Sequence, residues 1–213
     1  MKLRGNRHIW TTVILVLIPI LLFLWLKQSG YFDIFYNWAH RNYFLFIGVL
    51  FLLKVAAMIY PPLPGGILTL GAIPVIGWVA AYGVDLVGSM VGSSIAYVIG
   101  KKYGYILLSK IFDDATVSKL RTTKIKKGRE IESVFVLRVL GGMIVEIVAY
   151  GSGLLGIGFN NFLIGSIFSH LVIGVPSYYL ANNIFSTQNI FFSILLVVVS
   201  VVLLWKVKGR YFE

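Results

Sequence analysis

SVFVLRVLGGMIVEIVAYGSGLLGIGFNNFLIGSIFSHLVIGVP, residues 133–176, is the stretch whose reading decides the fold. It is apolar almost throughout. It carries two formal charges, Arg138 and Glu146, and is punctuated by Gly141, Gly142, Gly151, Gly153, Gly156 and Gly158. A charge at the centre of a bilayer costs at least about 2.5 kcal/mol. Two of opposite sign so close together point to a paired site facing protein or water, because a plain anchoring helix needs neither.

Eight residues along an ideal helix rise about 12 Å and turn the side chains roughly 80° apart. Arg138 and Glu146 therefore do not meet on one straight helix. Gly141 and Gly142 lie between them and tolerate a sharp bend. A helix broken there is expected to fold back and pair the two charges. Backbone freed by such a break survives at membrane depth only under cover of protein or a water-filled cavity. The pair serves either a transport path or the pinning of two helices.

Working outward, the 213 residues are 58% hydrophobic, above the roughly 45–50% of soluble domains. The mean hydropathy is +0.87. The chain reads as an integral membrane protein. Its net charge of +11 sits in a few segments and accompanies no nucleic-acid-binding motif. In this class it marks cytoplasmic loops and contact with anionic lipid. Without cysteine there is no disulfide and no thiol chemistry. No His–carboxylate spacing of a metal site occurs, and no cofactor is implied.

From the N-terminus, MKLRGNRH is basic and Ile9 to Leu26 is free of charge. No small-x-small cleavage site follows, so the segment is read as an uncleaved first span. Residues 27–41 are aromatic and of mixed charge, as expected of a helix in the interface. Residues 42–60 form a second span, in which Lys54 either snorkels to the surface or joins a buried site. Residues 60–84 contain Pro61, Pro62, Pro64 and Pro74 with Gly65, Gly66, Gly71 and Gly77, which forbid one continuous helix. Yet they are apolar, so a broken, re-entrant hairpin is expected. Asp85 is either the N-cap of the next helix (85–107) or a buried charge. Gly88 with Gly92, and Gly100 with Gly104, allow close helix packing. Residues 101–132 are basic and form a cytoplasmic loop on the anionic leaflet. Spans are expected at 159–182 and 189–205.

The N-terminus, the 101–132 loop and the C-terminus are all basic, hence all expected in the cytoplasm of a multi-pass cell-membrane protein. Five spans cannot satisfy that; six can, if 61–83 crosses. The depth of 61–83 stays open. The fold class is all-α, with five to six spans and two Gly/Pro-broken hairpins as an inverted repeat. Its parts are an N-terminal helix and interfacial segment (1–41), a core (42–185), and a C-terminal helix with a basic tail (186–213).

PPLPGGILTLGA, GSSIAYVIGKKYG, Arg138 and AYGSGLLGIGFNNFLIGSIFSHLVIGVP, in that order, resemble the DedA / SNARE-associated Golgi protein superfamily, whose members carry the VTT domain. The likeness covers about residues 55–185 and is nearer the Golgi-type branch than DedA proper. It implies paired re-entrant hairpins and movement of lipid between leaflets. Position by position, it maps Arg138 to the arginine of the second hairpin and Glu146 to an acidic position of the Golgi-type branch. Tyr97, Gly100 and Gly104 fall on the pattern after the first hairpin, and Pro176 on the proline closing the second. The chain departs at Gly65-Gly66, where the first hairpin usually carries an acid, and at Gly141 and Ile144, where a proline and a second arginine are usual.

The expected function is a lipid flippase or scramblase for phospholipid or polyprenyl phosphate. Arg138, Glu146, Asp85, Lys54 and Tyr150 are its substrate-path candidates. Pro61, Pro64, Gly66, Gly71, Gly141, Gly142, Gly151, Gly153 and Pro176 shape its hairpins. The partners are membrane lipids with anionic or phosphate headgroups and not nucleic acid, with a homo-oligomer open. A competing reading is an intramembrane hydrolase using Ser152 and His170. Another is an assembly protein without transport, which would need no buried charge.

Overall fold

The computed structural model describes residues 29–60, 63, 65–111, 118, 125, 128–140 and 145–186. Most of those residues are helical, with no strand among them. In chain order the helices are α1 (Tyr31–Arg41), α2 (Tyr43–Ile59), α3 (Gly65–Gly71), α4 (Ile73–Ile76), α5 (Trp78–Ile111), α6 (Glu130–Leu140), α7 (Val145–Leu154) and α8 (Phe159–Ser186). The expected spans 9–26 and 189–205 lie outside the described residues, as do Pro61, Pro64, Gly141 and Gly142.

Two helices among the described residues are long and apolar enough to cross a bilayer, Trp78–Ile106 within α5 and the whole of α8. α1 and α2 meet at a 102° bend and together make a third candidate. Against the five to six spans expected from sequence, the described residues therefore supply two, or three with the bent pair.

Local sequence explains where the helices stop. α2 ends at Tyr60, whose extended φ/ψ of −117° and 93° is the conformation a following proline imposes. α3 and α4 are the two short pieces of the broken segment, and Pro74 sits in the first turn of α4, where its missing N–H costs nothing. Gly77 then takes φ +78°, a left-handed backbone that a side chain would strain, and its N–H bonds to the Ile73 carbonyl. This turn launches α5 at Trp78, seven residues before the expected start at Asp85. Asp85 is therefore mid-helix and not an N-cap. Gly104 also adds to its reading: it is a kink inside α5, at φ +59° and ψ −147°, with Leu154 at ordinary contact distance from where a Cβ would stand and so not a close helix crossing. Pro176 lies exposed inside α8, which continues ten residues beyond it, so it closes no hairpin.

The core is built around α5, which packs most extensively on α7 and α2 and also on α8. The α5–α7 crossing is glycine-made. A Cβ on Gly100 would strike the Tyr150 carbonyl, and one on Gly153 the Tyr97 carbonyl. Ala96, Tyr97, Val148, Ala149, Tyr150 and Phe162 fill the space around that crossing. A second cluster joins Leu50, Ala72 and Val84, and a third Ile73, Ala81 and Tyr178. Large apolar side chains of α2 and α8, such as Phe44, Leu52, Phe168 and Val172, face outward. That arrangement suits lipid as the surrounding medium.

Candidate functional site

Two charge centres are buried in this apolar bundle. The first is organised by Asp85, of which 4% is exposed. Lys54 Nζ lies 2.6 Å from Asp85 Oδ1, and Thr69 Oγ1 donates to the same oxygen at 2.7 Å. His170 Nε2 lies 2.8 Å from Oδ2, close enough to share a proton but angled off the line of a hydrogen bond. Tyr178 OH donates to Thr69 Oγ1 at 2.6 Å. One carboxylate thus gathers α2, α3, α5 and α8.

Lys54 does not snorkel. It is 6% exposed, and its alkyl stem runs through a slot left by two glycines. A Cβ on Gly88 would come within 2.7 Å of Lys54 Cγ, and one on Gly65 within 3.3 Å of its Cδ. Gly88 was legible as a packing residue; what it packs against is this lysine.

The second centre is Arg138 on α6, 3% exposed. Its Nη2 donates to Ser93 Oγ of α5 at 2.9 Å, and its guanidinium carbon lies 5.4 Å from the Phe162 ring centroid. Among the described residues its Nε has no hydrogen-bond partner. The expected pairing with Glu146 is absent: among the described residues no ion pair within 4.0 Å joins them. Glu146, at the start of α7, is within electrostatic reach of both Arg138 and Lys54. The reason for the miss is packing. α6 lies mainly against α8 and turns Arg138 toward α5, so the guanidinium finds a hydroxyl across the bundle before it finds its neighbour in sequence.

Tyr150 is 1% exposed and donates to the Ile59 carbonyl at 2.6 Å. The N–H four residues further on, that of Leu63, bonds to Tyr60 instead. Tyr150 thereby satisfies an end-of-helix carbonyl that the prolines orphan. Gly151 and Gly153 are buried on α7, Gly153 in the crossing with α5, whereas Gly66 is exposed and Gly71 half-buried on α3. Ser152 Oγ donates to the Val148 carbonyl of its own helix, and His170 contacts Asp85. No hydrogen bond joins Ser152 to His170, so the serine–histidine arrangement of a hydrolase is not assembled. Among the described residues no group of three acidic or histidine side chains is placed to hold a metal.

Thr69, Ser93 and Tyr178 were not singled out by sequence reasoning, and His170 was placed only in the hydrolase reading. Their contacts span 16, 45 and 109 residues for Thr69–Asp85, Ser93–Arg138 and Tyr178–Thr69. A hydroxyl on an apolar helix carries no local signal of such a partner.

The model of the VTT domain matches residues 63–182, more than half of the chain. Asp85, Arg138 and His170 lie inside the match, and Lys54 lies before it. No curated protein and no solved structure matches the chain.

Proposed function

The chain belongs to the VTT domain family and is membrane-embedded, and from that premise we propose that it carries lipid headgroups between leaflets as a flippase or scramblase. The observation that carries this reading is the buried Arg138: among the described residues it is a cation with one hydroxyl partner, a vacant Nε donor and no carboxylate within ion-pair distance. A buried cation normally has its charge partner with it, because an unpaired one costs several kcal/mol. An arginine fork fits phosphate oxygens with two parallel bonds. The missing partner is accordingly read as the phosphate of a phospholipid or polyprenyl phosphate, while acyl chains stay in the bilayer beside the exposed faces of α2 and α8.

The inverted-repeat reading is supported by two similar runs. α3 and α4 are short and precede the long α5; α6 and α7 are short and precede the long α8. Each run carries one buried charge, Asp85 on α5 and Arg138 on α6. The proposed setting is a cell membrane, with five to six spans in all and the chain ends and the 101–132 loop in the cytoplasm, supported by the clustering of basic residues there. The Golgi-type branch is the proposed placement within the family, supported by Glu146.

The test is reconstitution. Purified protein in vesicles carrying a fluorescent phospholipid should make the inner-leaflet label accessible to an impermeant quencher. Vesicles that retain half of their label indefinitely, as protein-free vesicles do, contradict the proposal.

A further inference from the structure

From the hydrogen bonding around Arg138 we infer that the Ser93 hydroxyl is a second donor to the phosphate that Arg138 awaits, so that serine and arginine together form the anion site. The inference rests on the proposed reading of Arg138 as a phosphate receptor and adds the residue that completes it.

Three buried serines of the bundle return their protons to their own helices. Ser152 donates to the Val148 carbonyl at 2.6 Å, Ser166 to the Phe162 carbonyl at 2.7 Å and Ser169 to the Ser166 carbonyl at 2.8 Å. Each acceptor lies three or four residues back, the ordinary partner of a hydroxyl on an apolar helix. Ser94, next to Ser93 in sequence, does the same with the Met90 carbonyl. Ser93 does not. It is 0% exposed, and its oxygen accepts from Arg138 Nη2 at 2.9 Å. Among the described residues no acceptor takes its proton.

A serine hydroxyl carries one proton and two lone pairs. Nη2 occupies a lone pair, so the proton is what Ser93 still has to place, and a buried donor without an acceptor is costly. Arg138 Nε is in the same position among the described residues. Nε and Nη2 are bonded to the same guanidinium carbon, so the vacant N–H and the uncommitted O–H flank a single hydrogen bond. Two such donors beside a buried positive charge are complementary to an anion with at least two acceptor oxygens, which a phosphate supplies.

The surroundings hold the guanidinium without occupying those donors. Its carbon lies 5.4 Å from the Phe162 ring centroid, and Phe162 stacks in turn on Tyr97, with centroids 5.1 Å apart and planes 22° apart. Both rings are buried. A cation over an aromatic face keeps its N–H edges free. Glu146 does not fill the place: it joins no ion pair among the described residues, and of the two cations in reach it feels Lys54 more strongly than Arg138. Binding changes no covalent bond. One phosphate oxygen accepts from Nε, another accepts from Ser93 Oγ, and the hydrogen bond from Nη2 to Oγ stays in place.

The experiment uses the full chain in detergent and follows its thermal midpoint against rising concentrations of three probes. These are dihexanoyl phosphatidylglycerol, dihexanoylglycerol (which lacks the phosphate) and inorganic phosphate. The wild-type midpoint should rise with the phospholipid and not with the diacylglycerol. Ser93→Thr and Ser93→Val fill nearly the same volume, so a packing cost is common to both and only Ser93→Thr keeps a hydroxyl. Ser93→Thr is expected to bind the phospholipid within about threefold of the wild type and Ser93→Val about tenfold more weakly, the scale of one hydrogen bond to a charged group. Equal binding by the two overturns the inference. Where a branched side chain prevents folding, Ser93→Ala is compared with the wild type, and equal binding by those two overturns it likewise. The pair is repeated in an Arg138→Lys chain, in which the hydrogen bond from Nη2 no longer exists. A difference that persists there supports direct contact with the phosphate; one that vanishes shows that Ser93 acts only through the arginine, and overturns the inference. A wild-type response to inorganic phosphate and not to the phospholipid supports the site and sinks the lipid reading. No response to either overturns the site, while the vesicle assay judges translocation on its own.

Discussion

Among the described residues Asp85 has three partners for its two oxygens, contributed by three other helices, whereas Arg138 has one hydroxyl for its five N–H donors. Both side chains are almost wholly buried. The first arrangement is how a folded chain retains a charge: an opposite charge, a hydroxyl and a ring nitrogen replace the lost water. The second leaves a donor vacant at a comparable depth. The contrast separates a charge that holds helices together from one that awaits a ligand, although both read alike in the sequence as single ionisable residues in apolar runs.

The largest effect should come from breaking the satisfied centre. Asp85→Ala leaves Lys54 buried and unpaired, which costs about 3–5 kcal/mol, so the protein should be largely lost from the membrane fraction. The double variant Lys54→Met, Asp85→Leu removes both charges and should recover most of the level. Arg138→Met breaks no ion pair among the described residues, and exchanging a buried ionic group for an apolar one is often neutral or stabilising. Its thermal midpoint in detergent should match the wild type's or exceed it. Equal loss of protein in Asp85→Ala and Arg138→Met would erase the distinction between the centres.

A smaller effect should follow from crowding Lys54. Gly88→Ala places a methyl against its stem, and overpacking of this kind costs about 1–3 kcal/mol. A lowered melting temperature is expected, and Lys54→Met in the same chain should restore part of it by giving the methyl a more adaptable neighbour. The same Gly88→Ala change should leave the Arg138 centre, which it does not touch, able to support translocation by whatever protein remains folded.

The smallest is at the edge of the Asp85 centre. Tyr178→Phe removes one hydrogen bond to Thr69 while Thr69 still reaches Asp85, so a loss near 1 kcal/mol is expected. A loss as large as that of Asp85→Ala would mean that Tyr178 is integral to the centre.

These contrasts also show what the sequence could carry. The prolines and glycines of residues 60–77 announce a broken segment, and the structure breaks there, at Tyr60, between α3 and α4, and at Gly77. Of the α5–α7 crossing, Gly100 was visible as a small residue at helical spacing, and Gly153 as a hairpin glycine. Arg138, Asp85 and Lys54 stood out because charge is rare in apolar runs. Their partners did not, since each was sought close by in sequence. Glu146 is eight residues from Arg138 and does not pair with it, while Ser93 is forty-five away and does. Lys54 and Asp85 fall in separate helices whose contact depends on the absence of a side chain at Gly88, a fact about space that no local pattern records. The start of α5 was misplaced for a related reason: the charged Asp85 looked like a boundary, and the boundary was the left-handed Gly77, eight residues before it.

The most direct test of the ligand-seeking role of Arg138 is the initial rate at which Arg138→Met moves a phosphate-bearing fluorescent lipid across vesicles, measured at equal amounts of folded protein. The predicted result is a near-complete loss of translocation in a protein whose thermal midpoint is not lowered. Wild-type translocation by that variant would contradict it and return Arg138 to the same structural role as Asp85.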